Sequence, residues 1–179
     1  VGVRHHRPTV EGVRVANVVI ETKTANITMN GTAFMVYGKR YREAAEVWRR
    51  TAKSDRRFDP VSYQLLCQSL ELHLKSFIWL KDGVGNDVMK KRYGHDIAKL
   101  WKDAKAKGIS KFAKVTPRRD SAIELLSPYY RKRQFNYLDI DMIFRGFREI
   151  DREPHALQTM MQLTKQLGAS LREPILRAS

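Results

Sequence analysis

The chain has 179 residues, 42% of them hydrophobic, which is enough for the core of one domain. Its charge balance is strongly basic, with 34 Lys and Arg against 19 Asp and Glu and a formal net charge of +15. This excess favours a polyanionic partner, with nucleic acid first and another anionic surface second. A charge that serves only solubility is the alternative.

The single cysteine and the motif content exclude several classes of protein. Cys67 is the one cysteine, which rules out a disulfide within the chain and a Cys₂ or Cys₄ metal site. No Walker, nucleophile-elbow, zinc-protease or dinucleotide motif is present, and no apolar run approaches the roughly 20 residues that span a bilayer. We therefore predict no metal, no cofactor and no membrane association. A reducing, cytoplasmic location agrees with this composition.

Residues 1–30 differ from the rest of the chain. They are rich in Val and Thr, show no helical period, and offer one short strand pattern without a second strand to pair with it. We expect a poorly structured segment, or a non-native leader if the natural start is Met29 or Met35.

The strongest helical signal runs from Asp59 to Gly83. Asp59 and Pro60 are typical of a helix start, and Gly83 is typical of a left-handed helix end. Apolar residues cover more than one face, which predicts a central helix packed on several sides. Glu71 and Lys75 are four residues apart in the favourable order, so we expect an ion pair on whichever face stays wet.

Further helical patterns flank this central helix. A first helix over residues 31–53 has an apolar stripe and packs antiparallel to the central one. Later helices are predicted over 96–107, from Pro117 to near Pro128, over 139–150, and from Pro154 to a stop at Gly168. The helical domain thus covers 31–168, and we expect 169–179 to be a flexible tail. The predicted stripe of the first helix consists of Phe34, Tyr37, Tyr41, Ala44, Ala45, Trp48 and Ala52.

The segment Tyr129–Tyr137 interleaves four aromatic residues with three cations. Cations bind phosphate, and aromatic rings stack on unpaired bases, so this pattern predicts a nucleic-acid-binding surface. The alternative is that the rings lie in the core and the cations only face water. The binding residues predicted here are Tyr130, Arg131, Lys132, Arg133 and Tyr137.

Two motifs lie on either side of the loop after Gly83. They are ELHLK, with Glu71 and Lys75, and GHDIAKL, with Gly94, His95 and Asp96. Together they resemble the HEPN superfamily (higher eukaryotes and prokaryotes nucleotide-binding domain), whose bacterial members show a similar aromatic and basic stretch. The resemblance runs from the first helix through Tyr137. We interpret the five named motif residues as mainly structural.

This resemblance implies an all-α, up-and-down bundle of about five to six helices, often dimeric, that acts on RNA in toxin–antitoxin, defence or RNA-processing systems. Catalytic members are metal-independent ribonucleases with an Arg followed by four to six residues and a His. Arg148 and His155 match by count. However, Pro154 interrupts a helix between them, and Glu149 places an anion beside the phosphate position.

The predicted function is RNA or nucleotide binding by a cytoplasmic HEPN-like homodimer. One alternative is a helical protein-interaction module with a cognate partner and no nucleic-acid chemistry. The other is a metal-independent ribonuclease that uses Arg148 and His155. A helix-turn-helix is disfavoured, because the loop after the central helix is longer than that motif's turn.

Overall fold

All regular structure in the described residues is helical, which confirms the all-α prediction. The structure, a computed structural model, describes residues 30–51, 59–137, 150 and 155–179. Residues 1–29 of the predicted leader, the link after Thr51 and most of the predicted helix over 139–150 lie outside that part. Its helices are α1 (Gly31–Thr51), α2 (Pro60–Asp82), α3 (Asn86–Tyr93), α4 (Ile97–Ala106), α5 (Pro117–Arg131), α6 (Ala156–Ser170) and α7 (Arg172–Ala178), with a 3₁₀ turn at Ile109–Lys111.

Helix α2 is the centre of the bundle, and its predicted ends are confirmed. The Asp59 side chain accepts a hydrogen bond from the Ser62 amide at 3.0 Å, and Gly83 closes the helix in the left-handed conformation with φ 65°. Helices α1, α4, α5, α6 and α7 all contact α2. Cys67 is fully buried, as expected of a small core residue.

Helix α1 packs antiparallel to α2, as predicted, but it presents a different face. Two α2 hydroxyls donate to its carbonyls: Ser69 to Gly38 at 2.7 Å and Ser76 to Gly31 at 2.8 Å. The predicted stripe is therefore only partly correct. Phe34 and Ala45 are buried, whereas the rings of Tyr37, Tyr41 and Trp48 are 38–51% exposed. The two glycines face α2 instead, because a residue without Cβ lets the backbones approach closely.

The prediction that Gly168 ends the last helix is wrong, because α6 continues through it to Ser170. His73 of α2 is completely buried between two helices at this level. A Cβ on Gly168 would lie 2.9 Å from His73 Nε2, and a Cβ on Gly38 would lie 2.9 Å from His73 Nδ1. Gly168 is thus a packing residue that admits the imidazole, not a helix stop.

Gly168→Ala should therefore destabilise the fold although alanine favours a helix. The added methyl has no room beside a ring confined on both sides, and we expect a net loss of about 1–2 kcal/mol in the free energy of unfolding. Gly85→Ala is the control, because nothing lies within 4 Å of its Cβ position. Urea denaturation of the two variants measures the difference. Equal stability would contradict this account of the His73 packing.

Helix α5 also extends beyond its predicted end. It passes through Pro128 to Arg131, although a proline inside a helix removes a hydrogen bond. The extra turn buries the Tyr130 ring, and the Tyr130 hydroxyl donates to Glu71 Oε2 at 2.6 Å. This buried contact offsets the hydrogen bond that Pro128 lacks.

The C-terminal residues form helix α7, so the prediction of a flexible tail over 169–179 is wrong. Leu171 and Ile175 are fully buried and hold this helix against the bundle. The turn between α6 and α7 is short, and the Leu171 amide still donates to the Leu167 carbonyl at 3.0 Å. Two apolar residues four apart are enough to dock a short helix when they pack against an existing core.

Candidate functional site

A buried polar cluster lies where α2, α4 and α5 meet, and Glu71 is its centre. The Glu71 carboxylate is 2% exposed and accepts three hydrogen bonds. Lys75 Nζ donates at 2.6 Å, the Tyr130 hydroxyl at 2.6 Å and His95 Nδ1 at 3.0 Å. The predicted Glu71–Lys75 pair is present, but it lies inside the protein and not on a wet face.

The hydrogen bonds keep the buried Glu71 carboxylate charged. Burial by itself raises the pKa of this carboxyl, but hydrogen bonds from His95, Lys75 and Tyr130 outweigh that effect and hold the pKa below its usual value. The pKa of Tyr130 is raised by burial and by the neighbouring Glu71 charge, so its hydroxyl stays protonated and remains a donor. The cluster is therefore a fixed anion with its donors in place.

The second motif supports this cluster from the start of α4. Gly94 takes a positive φ of 55° after α3, and His95 then reaches Glu71 with its side chain 43% exposed. Asp96 caps α4 by accepting from the Lys99 amide at 2.9 Å, and it also pairs with Arg131 at 3.1 Å. The two motifs of the sequence therefore meet in space, which agrees with the structural interpretation of them.

The predicted aromatic and basic surface is only partly a surface. Tyr130 is 3% exposed and bound to Glu71, so its ring has no free face for a base and the prediction of Tyr130 as a stacking residue is wrong. Tyr137, by contrast, is 71% exposed. Lys132 and Arg133 are exposed, and Arg131 is tied to Asp96. Lys132, Arg133 and Tyr137 thus remain available to a ligand.

Only one member of the predicted ribonuclease pair is described. His155 is exposed and precedes the first turn of α6. Arg148 lies outside the described residues, so the distance between the two side chains is not defined. The assignment of this pair as catalytic stays a prediction.

A basic groove between α1, α6 and α7 was not predicted from the sequence. Its volume is about 670 Å³, within the range of small-molecule and cofactor sites. The groove combines five cationic side chains and one carboxylate with apolar side chains. The residues that line it are Met35, Val36, Lys39, Arg40, Arg42, Glu43, Lys165, Gly168, Ala169, Arg172 and Leu176.

The cations of the groove differ in how far they are already neutralised. Lys39 pairs with Glu43 at 3.6 Å, and Arg42 hydrogen-bonds to Glu46. Among the described residues, Arg40, Lys165 and Arg172 have no ion-pair partner. The α1 cations were visible in the sequence as residues off the apolar stripe, but nothing in the sequence indicated that α6 and α7 add cations beside them.

Comparison of the chain with protein-family models, curated proteins and solved structures finds no match. The HEPN resemblance therefore depends on the sequence motifs alone. Within the described ranges, none of the helices has the length and apolarity to cross a bilayer, and no three His, Cys, Asp or Glu side chains are grouped to bind a metal ion.

Proposed function

We propose that the protein binds RNA, with the phosphate backbone held in the groove between α1, α6 and α7. The observation that carries this proposal is the convergence of five cations from three helices on one groove with a single carboxylate. Since three of those cations have no ion-pair partner among the described residues, they need not break existing pairs to bind phosphate. The net charge of +15 strengthens association with any polyanion.

The apolar part of the groove lining favours a ligand that is more than a bare anion. Met35, Val36 and Leu176 line the same groove as the cations, and RNA offers sugar and base surface beside each phosphate. The HEPN resemblance supports the same ligand class and a setting in a toxin–antitoxin, defence or RNA-processing system. The homodimer, the cognate protein partner and the cytoplasmic location stay predictions.

Neutralising the groove should weaken RNA binding and flatten its salt dependence. The test variant replaces Arg40, Lys165 and Arg172 with serine, and fluorescence anisotropy measures binding of a labelled single-stranded RNA across a salt series. If these side chains contact three phosphates, the slope of log affinity against log salt becomes shallower by about 2, because each contact to a single strand contributes roughly 0.7.

A variant with the same change in net charge is the control. Lys90, Lys91 and Lys102 are exposed on α3 and α4, away from the groove. Replacing them with serine should leave most of the affinity and the slope intact. Equal effects of the two triple variants would reject the groove as the RNA site. No salt-dependent binding by the unmodified protein would reject RNA binding and favour the protein-interaction alternative.

A further inference from the structure

A second, much smaller pocket lies beside the Glu71 cluster, on the side where α2 faces the end of α5. Its volume is about 100 Å³, and the groups that line it are hydrogen-bonding groups without a carboxylate. Because one water molecule occupies about 30 Å³ in the liquid, the pocket has room for roughly three waters. This space suits one small ring and is too small for a complete nucleotide. The lining residues are Gln64, Gln68, His95, Tyr130, Arg133 and Asn136.

One carbonyl oxygen of this pocket lacks a donor, and a second competes with Glu71 for a single donor. Gln64 Oε1 is buried without a hydrogen-bond partner among the described residues. Gln68 Oε1 and Glu71 Oε2 both lie 2.6 Å from the Tyr130 hydroxyl, which has a single proton. The charged carboxylate is the stronger acceptor and takes that proton. A ligand with two N–H donors would therefore satisfy both glutamines, and a buried acceptor gains most from such a partner.

Arg133, at the edge of the pocket, has a left-handed backbone conformation that normally favours glycine or asparagine. Its φ is 58°, and it is the one non-glycine residue with positive φ in the described ranges. The Arg133 amide donates to the Tyr130 carbonyl, and the next amide, of Gln134, donates to the Tyr129 carbonyl, both at 2.9 Å. This is the Schellman arrangement, whose left-handed position prefers Gly or Asn. An arginine there keeps backbone strain and places a guanidinium at the pocket, a combination typical of functional positions.

We propose that this pocket binds one unpaired cytosine of an RNA strand. The exocyclic amino group of cytosine carries two hydrogens, which match Gln64 Oε1 and Gln68 Oε1. The adjacent ring nitrogen and carbonyl are acceptors for the donors of Arg133 and Asn136. Uracil places a carbonyl where cytosine has the amino group, opposite the two glutamine oxygens, and purines exceed the space. The exposed Lys132 next to Arg133 can bind the neighbouring phosphate.

This inference rests on the proposed RNA binding, and base preference tests it separately. Anisotropy titrations compare labelled oligocytidine and oligouridine of equal length at one salt concentration. We expect about tenfold tighter binding of oligocytidine, because a site built around hydrogen bonds rejects an analogue that leaves its acceptors unpaired. Gln64→Leu should remove most of this preference. Gln158→Leu, an exposed glutamine of α6, is the matched control and should keep it.

Arg133→Gly separates a binding role from a structural one. Glycine relieves the left-handed strain, so the melting temperature should rise, while the affinity for oligocytidine falls about tenfold. A rise in melting temperature with unchanged affinity would overturn the pocket. Equal affinity for the two oligonucleotides together with a steep salt dependence would overturn the cytosine site and leave the groove proposal standing. Absence of any RNA binding would overturn both.

Discussion

Replacing Glu71 with alanine should lower the free energy of unfolding by about 3–5 kcal/mol, because it leaves a buried ammonium group without its counter-ion. Lys75 is 6% exposed and donates to Glu71 at 2.6 Å. The Tyr130 hydroxyl and His95 Nδ1 lose the same acceptor. Such a loss is a large part of the roughly 5–15 kcal/mol that stabilises a typical domain. Urea denaturation followed by circular dichroism measures it.

An exposed pair with the same spacing is the control for Glu71. Arg177 and Glu173 are 3.1 Å apart on α7, with side chains 78% and 69% exposed. Glu173→Ala should cost at most about 1 kcal/mol, since exposed ion pairs contribute little. The double variant Glu71→Leu with Lys75→Met should recover much of the lost stability, because it replaces both charges with apolar groups. If Glu71→Ala costs no more than Glu173→Ala, the buried pair is not a stabilising element.

The stability of the protein should also fall in mild acid because of His73. Burial lowers the pKa of this imidazole to about 4, aided by the nearby Arg42 charge and opposed by a hydrogen bond to the Ser69 carbonyl. In the unfolded chain its pKa is about 6.5, so the unfolded state binds a proton first as the pH falls. Above about pH 6.5 the imidazole is neutral in both states, so the contribution of His73 to the free energy of unfolding is fully present. We expect about 2 kcal/mol of it to be lost between about pH 7 and about pH 5.

His73→Leu tests this pH dependence directly. Leucine does not titrate, so urea denaturation should show a much smaller loss of stability over the same pH interval, whatever the stability of the variant near neutral pH. His155→Gln, at an exposed position before α6, should keep the loss of the unmodified protein. The Glu71 carboxyl has a lowered pKa, so the stability it contributes is lost only at lower pH, as the pH falls below about 4.5. Parallel curves for His73→Leu and the unmodified protein would contradict the assignment to His73.

Signals that are local in the sequence predict the helices and the two ends of α2. Each end of α2 follows from residues with specific backbone preferences, namely Asp59, Pro60 and Gly83. The apolar stripe of α4 lies on one face at helical spacing, and its four members are buried, namely Ile97, Leu100, Trp101 and Ala104. The all-α class follows from such signals because they are local in sequence. The pairing of Glu71 with Lys75 was also visible, since residues four apart on a helix are always neighbours.

Which faces are buried and which residues meet depends on how the helices pack against one another. Sequence reasoning placed Tyr37 and Trp48 in the core and ended helices at Pro128 and Gly168. The structure instead turns the glycines of α1 toward α2, extends α5 until Tyr130 reaches Glu71, and extends α6 past His73.

The two candidate sites arise from the same long-range contacts. Lys39 and Arg172 are more than a hundred residues apart in the chain, yet both line the groove between α1, α6 and α7. In the same way, Gln64 and Arg133 both line the small pocket. Local helix propensity cannot predict such long-range contacts, because they depend on how the formed helices pack against one another. The free energy that selects them comes from burial of apolar surface and from satisfaction of buried polar groups across the whole bundle.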